Sequence, residues 1–300
     1  MNLTKRPIGI AGGGRIGQSL GRLLYQAGWP VVAVASRTAR HAAAAAEFIG
    51  YGVRPVGYAE LPGWCSRLII AVPDDALVTV ACLLHQSGWE DGIVIHTSGV
   101  NGTEVLDCLA AEGSSVAALH PLQTVPSPEK GQTSLVGCQY VLTGDGEAAQ
   151  WAKEIVQVLH GRLLELPNES RRLYHAAAVL ICNDLVVLLE AGLRLLNEAG
   201  VERETATKAF RSLAEQSVSN VLSMKRSEAL TGPVSRGDVG TIEAHLDALR
   251  ERSGTDLSQI ETIYRVLGLY AVRLAEEQGL SETRVRALTT LLESERQPER

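Results

Sequence analysis

Aromatic residues make up only 4% of this 300-residue chain, with two phenylalanines among them, so its core has to be built from aliphatic side chains. Lysine is nearly as scarce. Of 28 basic residues only five are lysine, namely Lys5, Lys130, Lys153, Lys208 and Lys225, which narrows the choice of catalytic groups. The five cysteines, Cys65, Cys82, Cys108, Cys138 and Cys182, form no close pair and no C-x-x-C. Such a set reads as reduced, largely buried thiols rather than a disulfide framework. Positive charge is not in excess either. A formal net charge of -6 excludes a general nucleic-acid binder, whose surface must displace counterions. Zinc spacings, a G-x-S-x-G elbow around Ser98 and a phosphate-binding P-loop are all missing. The most apolar run, Ala176 to Leu189, is interrupted by Asn183 and Asp184 and looks too short to cross a bilayer. Met1 to Pro7 is polar and leads straight into a strand, unlike an export signal. These features predict a soluble, cytoplasmic protein without metal, nucleic-acid or membrane partners.

What is present is ordinary globular composition, 45% hydrophobic and 21% charged, over a length that suits two domains. Short apolar runs alternate with amphipathic segments through the first half, the pattern of β-α units around a parallel sheet. Strands are expected at Ile8–Ala11, Val31–Ala35, Leu68–Val72, Ile93–His96, Val116–Leu119 and Tyr140–Thr143, with weaker ones near Val53–Val56 and Leu163–Leu166. Helices are expected at Ile16–Gln26, Ala39–Ile49, Ala76–Gln86, Thr103–Ala111 and Glu147–Leu159. Beyond Pro167 the period is helical: Glu169–Ala199, Arg203–Ser223, Val239–Arg250, Leu257–Glu277 and Glu282–Glu293. Asn168, Thr255 and Ser281 stand at expected N-caps, and Glu295–Arg300 reads as a frayed tail.

The first strand runs at once into Gly12-x-Gly14-x-x-Gly17 and then a helix. Gly12 permits the tight turn, Gly14 lets backbone N–H groups reach a pyrophosphate, and Gly17 lets helix and strand pack closely. A pyrophosphate then rests on the positive end of the helix, with Arg15 and Ile16 in its first turn. The context of strand, turn and helix predicts an α/β fold, an N-terminal Rossmann dinucleotide-binding domain over 1–166 followed by an all-helical domain over 167–300. The second strand ends in Ser36-Arg37-Thr38, with Arg40 beyond, where an NAD site would carry an acidic residue for the ribose 2′-OH. Hydroxyls and a guanidinium suit a 2′-phosphate instead, so NADP(H) is the expected cofactor. Arg37 and Arg40 could equally be solvated surface residues.

Ligands of open α/β sheets bind beyond the C-terminal strand ends. Three such ends carry polar or stiffened chemistry: Val72-Pro73, Thr97-Ser98-Gly99 and His120-Pro121-Leu122-Gln123. His120 follows an apolar strand on the ligand side, and a pKa near neutrality would let it relay the proton that accompanies hydride transfer. His96 could be a strand residue that orients the loop, leaving Ser98 to touch ligand. His41, His85, His160 and His245 fall away from the fingerprint face. On the first long helix of the second half, His175 shares a face with Arg171, and Asn183 follows about 80° round and some 12 Å along. An amide buried among so many apolar residues costs on the order of 1–3 kcal/mol unless hydrogen-bonded, so Asn183 is either a structural tie or a substrate contact. In the loop Leu230–Asp238, Arg236 could grip a substrate carboxylate bidentately, and Asp238 could cap the next helix.

At Gly12-x-Gly14-x-x-Gly17, His96-Thr97-Ser98-Gly99, Leu119-His120-Pro121-Leu122-Gln123, Tyr174-His175-Ala176-Ala177-Ala178 and Gly232-Pro233-x-x-Arg236-Gly237-Asp238 the chain resembles Rossmann-like proteins carrying the domain of unknown function 2520. The resemblance spans nearly the whole chain. It implies an NADP oxidoreductase related to deazaflavin-dependent NADP reductases, in a family without a settled reaction. More distantly the layout is similar to the 6-phosphogluconate dehydrogenase-like superfamily, in which the helical half completes the site and forms a homodimer. Prephenate dehydrogenases of that group also place a serine after strand five and His-Pro after strand six, which implies that Ser98 and His120 face substrate. One departure matters. The β-hydroxyacid and ketopantoate enzymes use a lysine on the first long helix of the second domain, and none of the five lysines here lies there.

The expected function is therefore an NADP(H)-dependent oxidoreductase of a small oxo, hydroxy or imino acid, with hydride transfer in the interdomain cleft and a ketopantoate-like substrate as one guess. His120, Ser98 and His175 would be catalytic, and Gln123, Asn183 and Arg236 would bind substrate. The missing lysine keeps a non-catalytic NADP(H)-binding or redox-sensing protein in view.

Overall fold

A computed structural model describes residues 6–224, 226–251 and 257–294. Eight strands form one sheet: β1 (Ile8–Ala11), β2 (Val31–Ala35), β3 (Arg54–Val56), β4 (Arg67–Ile70), β5 (Ile93–His96), β6 (Ser115–Leu122), β7 (Gln139–Gly144) and β8 (Arg162–Glu165). Their order is β3-β2-β1-β4-β5-β6-β7-β8. Between them run α1 (Arg15–Gln26), α2 (Ala39–Ile49), α3 (Asp74–Gln86), α4 (Asp107–Ala110), α5 (Pro128–Ser134) and α6 (Gly146–Val158). Beyond β8 the described residues are helical: α7 (Arg171–Glu198), α8 (Arg203–Ser223), α9 (Arg226–Ala229), α10 (Pro233–Arg236), α11 (Val239–Arg250), α12 (Ser258–Glu277) and α13 (Glu282–Glu293). The described chain divides into two compact units, Met1–Asp184 and Leu185–Arg300.

The strands are apolar on both faces because helices cover both. Within β4, Ile69 joins the core layer of Ile10, Leu24 and Trp151. Its neighbours Leu68 and Ile70 join the opposite layer with Leu61, Leu77 and Leu84, as the two-residue period of a strand requires. All eight expected strands are present. The expectation of a purely parallel sheet needs correction, however, because β7 runs antiparallel to β6. Between β6 and β7 stands a helix that the apolar pattern does not announce. Ser127 caps α5 by accepting from Lys130 N (3.3 Å), and Pro128 opens it. Ser19 Oγ of α1 donates to Pro128 O at 3.1 Å. A Cβ at Gly131 would collide with that Ser19 hydroxyl. α5 docks on α1 while α6, which follows β7, packs against β5 and β6, and the chain re-enters the sheet from α5 as a return strand.

Smaller corrections follow from local chemistry. Thr103–Leu106 is a 3-10 turn, followed by only one α-helical turn. Asn168 does not cap; its carboxamide accepts from Thr103 N (3.1 Å) and donates to Thr103 Oγ1 (3.0 Å). Ser281 stands at the N-cap of α13 but makes no side-chain capping bond. Thr255 and the tail from Glu295 lie outside the described residues. The segment Ala176–Leu189 lies inside a helix of 31 residues, Asn168–Glu198, which in length and apolarity is enough to cross a membrane. That corrects the expectation of too short a run: Asn183 and Asp184 interrupt the composition without interrupting the helix.

Candidate active site at the ends of strands one, five and six

The order 3-2-1-4-5-6 places the topological switch point between β1 and β4, where doubly wound sheets bind ligands. Gly12 sits there with φ 121°, and a Cβ on it would collide with the Ala71 carbonyl just past β4. A Cβ on Gly17 would collide with the Gly12 carbonyl. Gly14 is different. It is the N-cap of α1, with no side-chain capping bond, and a Cβ there would meet nothing within 4 Å. The first turn of α1 therefore presents free N–H groups to open space, the arrangement a phosphate needs. Arg15 is exposed and Ile16 half-buried beside it. These features fit a dinucleotide pyrophosphate.

At the end of β2, Ser36 is half-buried while Arg37, Thr38 and Arg40 are exposed. Thr38 Oγ1 caps α2 by accepting from His41 N at 3.2 Å, which takes up one acceptor direction of that hydroxyl. His41, expected to lie away from this face, has its carbonyl 3.3 Å from where a Cβ of Gly13 would be, so it borders the glycine turn. β4 ends at Ile70, two residues earlier than expected, which frees half-buried Val72 and exposed Pro73 to form the turn into α3. Thr97 N donates to Ile70 O at 3.0 Å, tying the β5 loop to that turn.

The second half of the site is built from β5, β6 and the first turns of α7. His96 is fully buried. Its Nδ1 accepts from Ser98 N at 3.2 Å, and its Nε2 lies 2.8 Å from the Gly102 carbonyl. The proton must then be on Nε2, which donates to Gly102. Burial pushes this imidazole down to about 4, so His96 is a neutral brace for the loop. Ser98 is buried, and its Oγ accepts from both Asn101 N and Asn101 Nδ2 at 3.0 Å. The hydroxyl shapes the turn, while the Ser98 carbonyl accepts from Arg171.

His120 Nδ1 lies 2.8 Å from Tyr174 Oη, and its ring meets that of His175 edge-on at 6.1 Å. Gly99 is why these rings can converge. A Cβ on it would lie 2.6 Å from His175 Nδ1 and 3.0 Å from His120 Nε2. The expectation of a His120 pKa near neutrality is corrected. Burial pushes it to about 4, helped by the positive charge of Arg171. Burial raises the Tyr174 phenol to about 12, with Arg171 opposing.

Arg171 is the residue that reading the sequence left out of the site. It is fully buried, donates to Thr143 Oγ1 at 3.0 Å and to the Ser98 carbonyl, and keeps Nε without a partner. Tyr174 was quoted only as part of a motif. Their common signal is spacing, since Arg171, Tyr174 and His175 occupy i, i+3 and i+4 on one helical face.

The remaining expected residues are exposed. Gln123 is exposed, with its Oε1 turned back onto Thr124 N at 2.9 Å. Asn183 is exposed, as is Asp184; the expected buried amide is not there because the apolar residues around it are themselves largely open. Arg236 is exposed at the end of α10, in the second unit. The motif around it is accounted for by local structure. Gly232 has φ 95°, Pro233 opens the helix, Gly237 ends it with φ 68°, and Asp238 caps α11 by accepting from Thr241 N (3.1 Å) and Thr241 Oγ1 (2.7 Å). The second unit also holds an apolar groove of about 450 Å³ between α7, α11 and α12, in which His245 Nδ1 faces Tyr264 Oη at 2.8 Å. None of the expected site residues lines it. No group of three or more metal-ligating side chains is found among the described residues.

Fold and site together define a protein with a Rossmann-like N-terminal sheet and a helical C-terminal region. Comparison with family models makes this particular. Residues 1–121 match the Rossmann-like domain, and residues 138–271 match the domain of unknown function 2520. The chain carries both. Comparison with curated proteins finds no match. Among solved structures, an NADP oxidoreductase by provisional assignment from Bacteroides fragilis is similar at 22% identity, with a TM-score of 0.72 over 92% of this chain and all of that one. A reductive aminase from Aspergillus terreus, solved with NADPH and ethyl levulinate, is similar at 17% identity, with a TM-score of 0.58 over 97% of this chain and 93% of that one. An imine reductase from a Pseudomonas species has the same TM-score at 14% identity, over 95% of this chain and 92% of that one. These likenesses establish a shared fold.

Proposed function

We propose that the protein is an NADP(H)-dependent oxidoreductase of a small oxo, hydroxy or imino acid. The observation that carries this reading is the pairing of two features in one unit: an open glycine cradle at the switch point, and a half-buried His120–Tyr174 pair two strands further along the same edge. The cofactors named for similar folds support the choice of NADP(H), as do Arg37 and Arg40 beyond β2, where no carboxylate stands.

Gly12, Gly14 and Gly17 with the first turn of α1 hold the pyrophosphate, Ser36, Arg37 and Thr38 receive the 2′-phosphate, and Val72, Pro73 and Thr97–Gly99 flank the nicotinamide. NADPH when bound supplies the hydride. The chain supplies the proton. Tyr174, whose phenol stays protonated at neutral pH, donates to His120 Nδ1, which leaves the imidazole proton on Nε2 beside Gly99. As the carbonyl oxygen of the substrate gains negative charge, Nε2 gives up its proton and Nδ1 takes that of Tyr174. The bond made is O–H on the product, the bond broken is Tyr174 O–H, and the resulting phenolate faces the guanidinium of Arg171. An alkoxide is a stronger base than a phenolate, so the relay runs downhill.

Assembly as a homodimer belongs to the same proposal. Leu173, Leu180 and Val187 recur every seventh residue along α7 and are 78%, 67% and 55% exposed, an apolar stripe that a second helical face would cover. Sedimentation of the pure protein without detergent tests this, and a monomer at micromolar concentration speaks against it.

The test of function is a panel of 2-oxo acids and imino acids followed at the NADPH absorbance band. Turnover is expected with NADPH, falling at least a hundredfold in kcat in His120→Ala and about tenfold in Tyr174→Phe. Turnover that neither substitution slows would refute the relay, and a protein that binds none of NADPH, NADP+, NADH and NAD+ would refute the whole reading.

A further inference from the structure

Beside Gly99 stands a charge with no counter-ion in the resting site. Arg171 is wholly buried, yet its partners are two neutral oxygens, Thr143 Oγ1 and the Ser98 carbonyl, and its Nε has none. Among the described residues no carboxylate forms an ion pair with it. The nearest acidic influences, from Glu104 and Asp74, belong to exposed side chains, and Glu104 Oε1 is already engaged by Gly102 N at 3.1 Å. A buried guanidinium without a counter-ion costs several kcal/mol. Beside it a second donor site is open: His175 Nδ1 is buried without a partner and points at Gly99, where His120 Nε2 converges. Three nitrogen groups thus gather beside Gly99, so closely that a single Cβ there would not fit, and among the described residues no carboxylate pairs with them.

We infer that this niche receives the carboxylate of the substrate, with Arg171 as the charge that selects an anion and His175 Nδ1 as a direct donor to it. The inference rests on the oxidoreductase reading above and adds the substrate class of that site. A cationic iminium would meet the uncompensated guanidinium at a cost, so the site favours oxo acids and anionic imino acids over simple amine-derived imines.

A consequence concerns the proton. The groups that act on His120 are Arg171, His175 and Tyr174 of α7, His96 of β5 and Asp74 at the start of α3. Without an anion, burial first and then the charge of Arg171 outweigh Asp74 and hold His120 neutral. A bound carboxylate adds a negative charge there and raises the His120 pKa, so binding is accompanied by partial proton uptake while the rings that stay neutral carry the relay.

The experiment uses the full chain saturated with NADP+, which holds an oxo acid without reducing it. Straight and branched 2-oxo acids of three to six carbons, each paired with its methyl ester, are titrated calorimetrically in two buffers of different ionisation enthalpy at pH 7. At least one acid is expected to bind ten or more times tighter than its ester, with net proton uptake and a preference that weakens as salt rises. His175→Ala is expected to lower acid affinity about tenfold and to leave the ester unchanged. Arg171→Met is expected to bring the acid and ester affinities together at unchanged NADP+ affinity. Should that variant fail to fold, the acid-to-ester ratio of the wild-type protein decides alone. Esters binding as well as acids, or no acid binding to a protein that does bind NADP+, overturns the inference and leaves the oxidoreductase reading standing. Failure to bind NADP+ overturns the reading itself.

Discussion

Replacing Gly14 by alanine separates the cofactor role of the glycine turn from its structural role. Gly14 has φ -81° and ψ -174°, a backbone that alanine adopts without strain, and a Cβ there has no neighbour within 4 Å. Alanine is a poorer N-cap than glycine by up to about 1 kcal/mol, and the loss of unfolded-chain entropy returns about 0.4–1 kcal/mol. The two nearly cancel, so Tm should move by no more than about 3 °C. Binding should behave otherwise. The new methyl stands where the pyrophosphate must approach the N–H groups of α1, and losing one hydrogen bond to a charged group costs about 1.5–3 kcal/mol, roughly ten- to a hundredfold in Kd. The control is Gly17→Ala, whose Cβ would collide with the Gly12 carbonyl. Backbone must shift there, at a cost of about 1–3 kcal/mol or more, so this variant should melt several degrees lower. Differential scanning fluorimetry without ligand, together with NADPH titration by fluorescence, reads both quantities. Wild-type NADPH affinity in Gly14→Ala refutes the placement of the pyrophosphate. A Gly14→Ala protein that melts like Gly17→Ala refutes the claim that the space is open.

Acid should destabilise the first unit in a defined window. The imidazoles of His96 and His120 are both pushed down to about 4 by burial, so between that value and about 6.5 the unfolded chain binds more protons than the folded one. Stability therefore rises with pH through that window and is lost as pH falls through it. For fully buried His96 the contribution is roughly 3 kcal/mol, and denaturant melts from pH 7 to pH 4 should lose it; a His96→Gln protein with an equally steep loss speaks against this assignment. In the second unit, Asp238→Ala removes a bidentate cap on Thr241 and should cost about 1 kcal/mol. Chemical denaturation followed by circular dichroism measures it, and an effect below a few tenths would show that the cap is dispensable. Gly99→Ala should crowd His175 Nδ1 at 2.6 Å and abolish turnover while NADPH still binds; unimpaired turnover would sink the niche as the place of reaction.

Much of the fold was legible because its signals are local. Each strand announces itself by an apolar run between turn residues, and the glycine fingerprint fixes where the first βα unit lies. Every helix of ten or more residues in the structure is also an expected one, within two residues at either end. What stayed hidden was set by partners distant in sequence. The stretch Pro128–Ser134 has no apolar stripe, and its helix is stabilised by Ser127, Pro128 and the contact with Ser19, 109 residues away. The direction of β7 shows only in its pairing with β6, so the antiparallel return could not be read from β7's own residues.

The candidate site was legible at its strand ends and hidden at its charges. Ser98, Gly99 and His120 were found because they follow apolar strands on the ligand edge. Nothing local distinguishes Arg171 from Arg172, which stands beside it and is exposed. Only helical phase separates the two, and phase becomes informative once β5 and β7 offer Ser98 and Thr143 as acceptors. The shortage of lysine acquires its meaning at the same place. The resembled dehydrogenases use a lysine on the first long helix, whereas here the corresponding stretch carries Arg171, Tyr174 and His175. An arginine cannot be deprotonated in such a role, so in the proposed relay it would hold charge while the phenol and the imidazole move the proton. Dividing the work of one lysine among three side chains would need them at i, i+3 and i+4 on one helix. It also needs a glycine opposite to make room, and Gly99 stands where that requirement falls.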